Sequence, residues 1–257
     1  MIRRTMEKKI AEIRKEFEMA QSSQWENLCD IYSTDLRSGV VSLVEKYHRK
    51  GIMLSEERNR LYEMTAFERQ YEELDYVCGI DEAGRGPLAG PVVAGAVILP
   101  KNVEILYLND SKKLSEKKRE ELFEEIKEKA LAWAVGYASA QRIDEINILQ
   151  ATYEAMREAI RGLALKPQIL LNDAVKIPGI EIPQVPIIKG DAKSVSIAAA
   201  SILAKVTRDR LMKEYDQIMP EYEFAGHKGY GSAVHIEAIQ KYGPSPIHRK
   251  SFITHFI

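Results

Sequence analysis

The chain has 257 residues, of which 45% are hydrophobic and 29% charged, and its formal net charge at pH 7 is -1. This balance is typical of a globular protein with a proper core, and the near-neutral charge excludes a partner selected by overall charge alone. The N-terminus lacks the apolar stretch of a secretory signal, and no segment approaches the ~18 apolar residues that span a bilayer. We therefore expect a cytoplasmic protein with no membrane contact.

Residues 1–72 are predicted to form a small helical module. Apolar residues recur at helical spacing from Ile2 and Met6 to Phe17, and a second periodic run is predicted to stop at Gly51. Ser55 is predicted to open a third helix. Thr65-x-x-Glu68 resembles a capping box for a fourth.

From residue 73 to residue 257 the pattern changes to strands that alternate with helices. A mixed α/β sheet flanked by helices is the predicted architecture of this larger domain. The predicted strands are residues 76–80, 91–99, 131–140, 168–171 and 185–188, and the predicted helices are 112–129, 143–163, 192–219 and 232–242.

Two adjacent acids, Asp81 and Glu82, follow the first predicted strand. A pair of this kind is most often a solvated strand end, because acids cost little there. Successive strand residues point to opposite faces, so both carboxylates serve one site only if the backbone bends. Gly79 and Gly84 flank the pair and are predicted to permit that bend.

Two further acids come at later strand ends. Asp173 follows one apolar strand and is by itself an ordinary turn residue. Asp191 directly precedes the long Ala-rich helix, where an N-cap role would explain it. Taken together with Asp81 and Glu82, they favour convergence at one edge of the sheet.

Carboxylates that converge repel each other unless cations neutralise them, and a site built of oxygen ligands suits Mg²⁺ or Mn²⁺. Two such ions about 4 Å apart would clamp the attacking and leaving oxygens of a phosphodiester. The sequence therefore predicts a metal site with two divalent ions.

The Gly84-Arg85-Gly86 turn beside the first acids invites comparison with phosphate-binding loops. The dinucleotide-binding pattern fails there, since Pro87 and Pro91 intervene and a strand follows instead of a helix. The turn is either a plain tight connection or one whose backbone approaches a ligand, with Arg85 near a phosphate.

The segment from residue 224 to residue 257 combines basic, histidine and tyrosine side chains. Tyr230, Lys228 and Arg249 are candidates for contact with a polynucleotide, because cations and aromatic rings suit phosphates and stacking. An ordinary mildly basic tail explains the composition equally well. The histidines show no zinc-binding pattern.

The run Asp81-Glu82-Ala83-Gly84-Arg85-Gly86-Pro87-Leu88-Ala89-Gly90-Pro91 resembles the opening signature of the ribonuclease HII family. Other family blocks follow in order over residues 73–257, among them Asp110-Ser111-Lys112-Lys113-Leu114, Lys189-Gly190-Asp191, His227-Lys228-Gly229-Tyr230-Gly231 and Ser245-Pro246-Ile247-His248-Arg249. The leading helices resemble the N-terminal extension of some bacterial members.

The resemblance implies an RNase H-like fold with a mixed central sheet, a C-terminal helical portion and the small N-terminal module. It implies Mn²⁺- or Mg²⁺-dependent cleavage of RNA in RNA–DNA hybrids, and cleavage 5′ to ribonucleotides embedded in duplex DNA, by a protein expected to be a monomer. By position, the four family acids are Asp81, Glu82, Asp173 and Asp191, and we expect Gly84, Arg85, Gly86, Lys189, Lys228, Tyr230 and Arg249 to contact substrate.

Two other functions are consistent with parts of this pattern. A metal-dependent exonuclease or resolvase of related fold would use similar acids, although those exonucleases favour an Asp-x-Glu start and Asp81 and Glu82 are adjacent. A module that binds hybrids without cutting them is disfavoured, since all four acids are present.

Overall fold

The structure is a computed structural model that describes residues 8–256, so Ile2 and Met6 of the first predicted helix lie outside the described residues. The chain divides into two compact units, one ending at Tyr62 and the other beginning at Glu63. The boundary predicted from the sequence, between residues 72 and 73, stays a prediction.

The first unit is helical. Its core includes Phe17, Tyr32 and Tyr47, with the Phe17 and Tyr47 rings stacked at 4.7 Å between centroids. Its helices are α1 (Ile10–Met19), α2 (Trp25–Tyr32) and α3 (Ser38–Met64).

The predictions that a helix ends at Gly51 and that another opens at Ser55 are wrong. Helix α3 runs through both positions without interruption. Gly51 is not among the glycines with positive φ, so it does not adopt the left-handed conformation that ends helices. A single glycine inside a helix costs only about 1 kcal/mol, and the rest of this 27-residue helix outweighs that cost.

The second unit is built on a five-stranded mixed sheet in the order β3-β2-β1-β4-β5. Strand β1 pairs antiparallel with β2 and parallel with β4, so β1 and β4 end at the same edge of the sheet. The strands are β1 (Val77–Ala83), β2 (Val92–Ile98), β3 (Ala132–Ala138), β4 (Ile169–Asp173) and β5 (Gln184–Ile187).

Helices cover both faces of this sheet. The helices are α4 (Ala66–Arg69), α5 (Glu116–Lys129), α6 (Ala140–Gly162), α7 (Val195–Ile218), α8 (Phe224–His227), α9 (Ala233–Tyr242) and α10 (Lys250–Ile253). Helix α6 packs on β2 and β3, whereas α7 packs on β1 and β2. No helix within residues 8–256 is long and apolar enough to cross a membrane.

Helix α7 lies unusually close to the sheet because glycines face it. A Cβ at Gly79 would overlap the backbone of Ser196, and one at Gly95 would overlap the carbonyl of Ala200. Gly79 has an ordinary strand conformation, so its function is this close approach. The backbone bend predicted at this glycine is not observed.

Helices α6 and α7 differ from the predictions for reasons of local hydrogen bonding. Helix α6 contains a break at Asn147 (φ 68°, ψ 163°), whose Oδ1 accepts bonds from Leu149 N and Gln150 N and so caps the second half. Helix α7 begins at Val195, three residues later than predicted, and its N-cap is Ser194.

Candidate active site

Asp81 and Glu82 lie within β1, directly before its last residue, Ala83. They pair regularly with Gly95 and Ala94 of β2, so strand alternation sends their side chains to opposite faces. Asp81 shares the face of Gly79 toward α7, and Glu82 points to the other side. The predicted bend does not interrupt the pairing at these two residues, and the chain turns only after them, at Gly84 (φ 93°). The charge of Asp173 nevertheless raises the pKa of both acids, so both lie near Asp173 although their side chains leave the strand on different sides.

The Asp81 carboxyl is buried beneath the strand end. Burial, together with the charges of Glu82 and Asp173, raises its pKa well above the ordinary value, although a hydrogen bond from Ser201 partly offsets this. The Ser201 hydroxyl in turn lies 2.9 Å from the Ser111 hydroxyl. The close approach of α7 at its glycine contacts is what brings Ser201 to Asp81.

Glu82 lies at the wall of an open cleft. Burial raises its pKa, and the guanidinium of Arg85, 3.3 Å away, opposes that rise, while Asp173 adds to it. Arg85 therefore lies close enough to the acids to neutralise part of their charge.

Asp173 and Asp191 are joined through the backbone between them. Asp173 Oδ1 accepts a 2.7 Å bond from Gly190 N, which fixes the start of the turn that carries Asp191. Asp191 is 7% exposed, and burial and the neighbouring charges of Asp110 and Asp173 raise its pKa. Since Ser194 caps α7, Asp191 is not the helix cap that the local sequence would suggest.

Lys112 faces this group of acids. Burial alone would lower its pKa, but Asp81, Asp110 and Asp191 outweigh burial and raise it. The sequence interpretation gave no role to Lys112, Ser111 or Ser201, although the family block around residues 110–114 contains two of them. No residue-level signal distinguished Ser201 from the other small residues of α7.

The carboxylates are close enough to interact electrostatically, yet within residues 8–256 no three acidic, histidine or cysteine side chains form a ready-made metal cluster. The donor set is nevertheless all carboxylate oxygen, which hard divalent cations prefer. Burial and mutual repulsion raise the pKa values of Asp81, Glu82 and Asp191, and a cation between these groups would favour their ionised forms. The residues therefore fit a Mg²⁺ or Mn²⁺ centre.

An open cleft of about 580 Å³ includes Glu82, alone of the four acids, in its wall. Four of the predicted substrate contacts, Gly84, Arg85, Gly86 and Tyr230, line it together with Glu82. Gly86 leaves room at the Tyr230 ring, since a Cβ there would lie 3.9 Å from Cε1 of the tyrosine. The remaining lining residues are Ala83, Ser111, Lys112, Ile148, Ser201, Lys205 and Phe252.

Two fully buried arginines hold the loop that carries the Gly84-Arg85-Gly86 turn. Arg208 donates to the carbonyls of Ala89, Pro91 and Lys228, each at 2.9 Å. Arg249 donates to the carbonyls of Gly84, Arg85 and Gly90, at 2.5 to 3.0 Å. Burial lowers the pKa of Arg208 to about 10 and, with the nearby charge of Arg208, that of Arg249 to about 9.

The placement of Arg249 does not fit the direct substrate contact predicted from the sequence, because its donors all point into the protein. Lys228 also differs from expectation: its ammonium group bonds the carbonyl of Ala225. Lys189 is exposed in a left-handed conformation (φ 57°). Neither lysine is among the residues that line the cleft.

The C-terminal histidines form a buried structural cluster. Ser245 N donates to His248 Nδ1 at 2.8 Å, so His248 carries its proton on Nε2 and donates to His235 Nε2 at 2.9 Å. His235 Nδ1 then donates to the carbonyl of Tyr230 at 2.8 Å. The His227 ring stacks on His235 at 4.3 Å. These rings therefore support the Tyr230 loop from inside.

We expect this cluster to make the protein lose stability on acidification. Burial lowers the pKa of both His235 and His248 to about 4, so the unfolded chain binds more protons once the pH falls below about 6.5. Stability should fall by at least about 3 kcal/mol between pH 6.5 and 4. The Hε1 chemical shifts of the two rings should stay flat down to about pH 5. A His255→Gln variant should leave both curves unchanged, whereas ordinary titration of the two rings near pH 6.5 would contradict the prediction.

The mixed sheet between two helical layers, with buried acids at the shared edge of β1 and β4, defines an RNase H-like α/β fold. The structure of ribonuclease H2 from Pyrococcus horikoshii OT3 shares this fold, with a TM-score of 0.58 and 32% identity over 68% of this chain and 92% of that one.

The family follows from the sequence comparisons. The Ribonuclease HII family model matches residues 78–255, and the Ribonuclease HII N-terminal domain model matches residues 9–72. Ribonuclease HII of Lachnoclostridium phytofermentans is 62% identical over 95% of this chain and 96% of that protein. Ribonuclease HII of Clostridioides difficile is 50% identical over 98% and 99%. The chain belongs to the ribonuclease HII family, metal-dependent hydrolases that cut the RNA of RNA–DNA hybrids.

Proposed function

We propose that this protein cleaves the RNA strand of RNA–DNA hybrids, and also cuts 5′ to single ribonucleotides in duplex DNA, at the cleft between the acids and Tyr230. The proposal rests on one observation: a single cleft is lined by Glu82, by the turn Gly84, Arg85 and Gly86, and by Tyr230. A reactive centre and a surface for the neighbouring nucleotide thus share one groove.

The proposed metal ligands are Asp81, Glu82, Asp173 and Asp191. Two bound Mg²⁺ or Mn²⁺ ions would supply an activated water and stabilise the charge on the departing 3′-oxygen, leaving 3′-hydroxyl and 5′-phosphate ends. Asp81, at the buried centre of the group, is the proposed central ligand. Arg85 and Lys112 offset the negative charge of the acids and favour approach of the phosphodiester.

Discrimination of RNA from DNA depends on the ribose 2′-hydroxyl. The Gly84-Arg85-Gly86 turn is the proposed reader of this group, since Arg249 holds the carbonyls of Gly84 and Arg85 in a fixed arrangement. Tyr230 is 46% exposed and lies beside Gly86, and its ring is proposed to pack against the sugar next to the ribonucleotide. Lys189 and Lys228 are proposed only as outer phosphate contacts.

A duplex DNA with one internal ribonucleotide tests the proposal. With Mg²⁺ or Mn²⁺ we expect one cut, 5′ to the ribonucleotide, that leaves a 3′-hydroxyl end, and no cut in an all-DNA duplex or in the presence of a chelator. Size-exclusion chromatography of the same preparation tests the expected monomer. Stepwise shortening from an end would instead support the exonuclease alternative, and metal-independent binding without cleavage would support a binding module.

A further inference from the structure

Glu68 forms an unexpected contact with the start of helix α7. Its Oε1 accepts a 2.5 Å bond from the Ser194 hydroxyl and a 3.0 Å bond from Ser196 N, and it also bonds the Ser196 hydroxyl. The sequence suggested that Glu68 closes a capping box for its own helix with Thr65. That assignment is wrong, because no side-chain bond caps α4 and Glu68 instead caps a helix more than 120 residues later.

Glu68 and Ser194 accept hydrogen bonds from backbone N–H groups at the N-terminus of α7. The first backbone N–H groups of a helix have no partner within the helix and attract negative charge. Ser194 accepts a bond from Ile197 N at 3.2 Å, and Glu68 accepts one from Ser196 N. Asp191 lies only three residues before Ser194 in the chain.

Further hydrogen bonds connect this contact to the turn that carries Asp191. Ser194 N donates to the carbonyl of Gly190 at 2.9 Å, and Gly190 N donates to Asp173 Oδ1 at 2.7 Å. One chain of hydrogen bonds therefore leads from Glu68 through the turn of residues 190–194 to Asp173. On this side of the sheet the α4 region also contributes Phe67 and Tyr71, which pack against the buried cluster Leu171, Ile187 and Ile197.

We propose that Glu68 is a positioning residue of the active site: it binds Ser194 and Ser196 at the start of α7, anchors the turn of residues 190–194, and so holds the Asp191 carboxylate toward the metal centre. Glu68 itself contacts neither substrate nor metal. This inference rests on the proposed function of the acids. Glu68 lies near the end of the segment that the N-terminal domain model matches, residues 9–72, so the inference gives that segment a role in the active site.

The test compares Glu68→Ala and Glu68→Gln. In Glu68→Ala the turn of residues 190–194 loses its anchor and Asp191 is held less firmly, so we expect kcat on the one-ribonucleotide duplex to fall about 10-fold with KM within about 2-fold of the wild type. The Kd for Mn²⁺, measured by calorimetry without substrate, should rise about 10-fold. Glu68→Gln keeps the acceptor oxygen and should recover most of both losses.

Two controls separate positioning from simple loss of stability. Glu72→Gln removes a neighbouring exposed acid and should change nothing. Ile126→Ala creates a cavity at a buried residue of helix α5, outside the hydrogen bonds of Glu68, and should lower the melting temperature and leave the Kd for Mn²⁺ unchanged. If Glu68→Ala does not fold, Ser196→Ala removes one donor of the same contact and should raise the Kd for Mn²⁺ by about 3-fold.

Unchanged Mn²⁺ affinity in Glu68→Ala and Ser196→Ala, or an equal loss in Ile126→Ala, would overturn the inference. The wild type decides the proposed function separately. If it binds Mn²⁺ and cuts at the ribonucleotide while the variants match it, only the positioning role fails.

Discussion

Replacing Asp81 by asparagine is expected to lower the rate of hybrid cleavage by at least about a thousandfold. Asp81 is the most deeply buried of the four acids, and burial, Glu82 and Asp173 all raise its pKa. A neutral amide of the same size would remove the central negative ligand of the proposed metal site. Cleavage of a uniform RNA–DNA hybrid at saturating Mg²⁺ measures the effect.

The same substitution should stabilise the fold, which separates loss of catalysis from loss of structure. An isolated buried carboxylate costs free energy, so Asp81→Asn is expected to raise the free energy of unfolding by about 1 kcal/mol. Asp75→Asn provides a matched control, since the Asp75 side chain is 75% exposed and should affect neither quantity. Activity within tenfold of the wild type would remove Asp81 from the centre of the mechanism.

Arg249→Met is expected to have the largest effect on stability, about 3 kcal/mol. The substitution deletes the bonds to the carbonyls of Gly84, Arg85 and Gly90, and each buried acceptor left without a partner costs about 1–3 kcal/mol. Relief of the buried positive charge offsets part of this cost. Urea unfolding followed by circular dichroism gives the difference in free energy.

Arg249→Lys distinguishes the scaffold role from the direct phosphate contact predicted from the sequence. A phosphate contact needs mainly the positive charge, so lysine would preserve most of the affinity for substrate. The scaffold needs the planar guanidinium that reaches three carbonyls at once, so lysine should lose most of the stability and weaken selection of RNA over DNA. Arg85→Lys, on the exposed side of the same loop, should leave stability unchanged. Wild-type stability in Arg249→Lys would restore the phosphate interpretation.

The arrangement of the sheet was predictable because local patterns report it directly. All five strands lie close to the predicted positions, since short apolar runs bounded by turn residues carry the strand signal. The break at Asn147 and the continuity of α3 through Gly51 were not predicted. Both depend on a balance between local breakers and longer helical context that no short window contains.

The candidate site was predicted in part for the same reason. Acids at strand ends are visible along the chain, and Asp81, Glu82, Asp173 and Asp191 interact electrostatically in the structure. The roles of Glu68 and Arg249 were not predictable, because their partners lie 126 or more residues away in the chain. A charged residue gives no sequence signal that tells burial under a loop from exposure to phosphate.

The close packing of α7 on β1 and β2 has a consequence for how the site moves. At Gly79 and Gly95 the contact is made by backbone atoms of the helix, so no side-chain torsions are available there to absorb strain. Strand β1, which carries Asp81, and the helix α7 packed on it therefore behave as one rigid body. Adjustment to a bulky duplex must therefore come from the exposed side chains at the edge of the cleft, Arg85 and Tyr230, and the catalytic geometry stays constant while these side chains move.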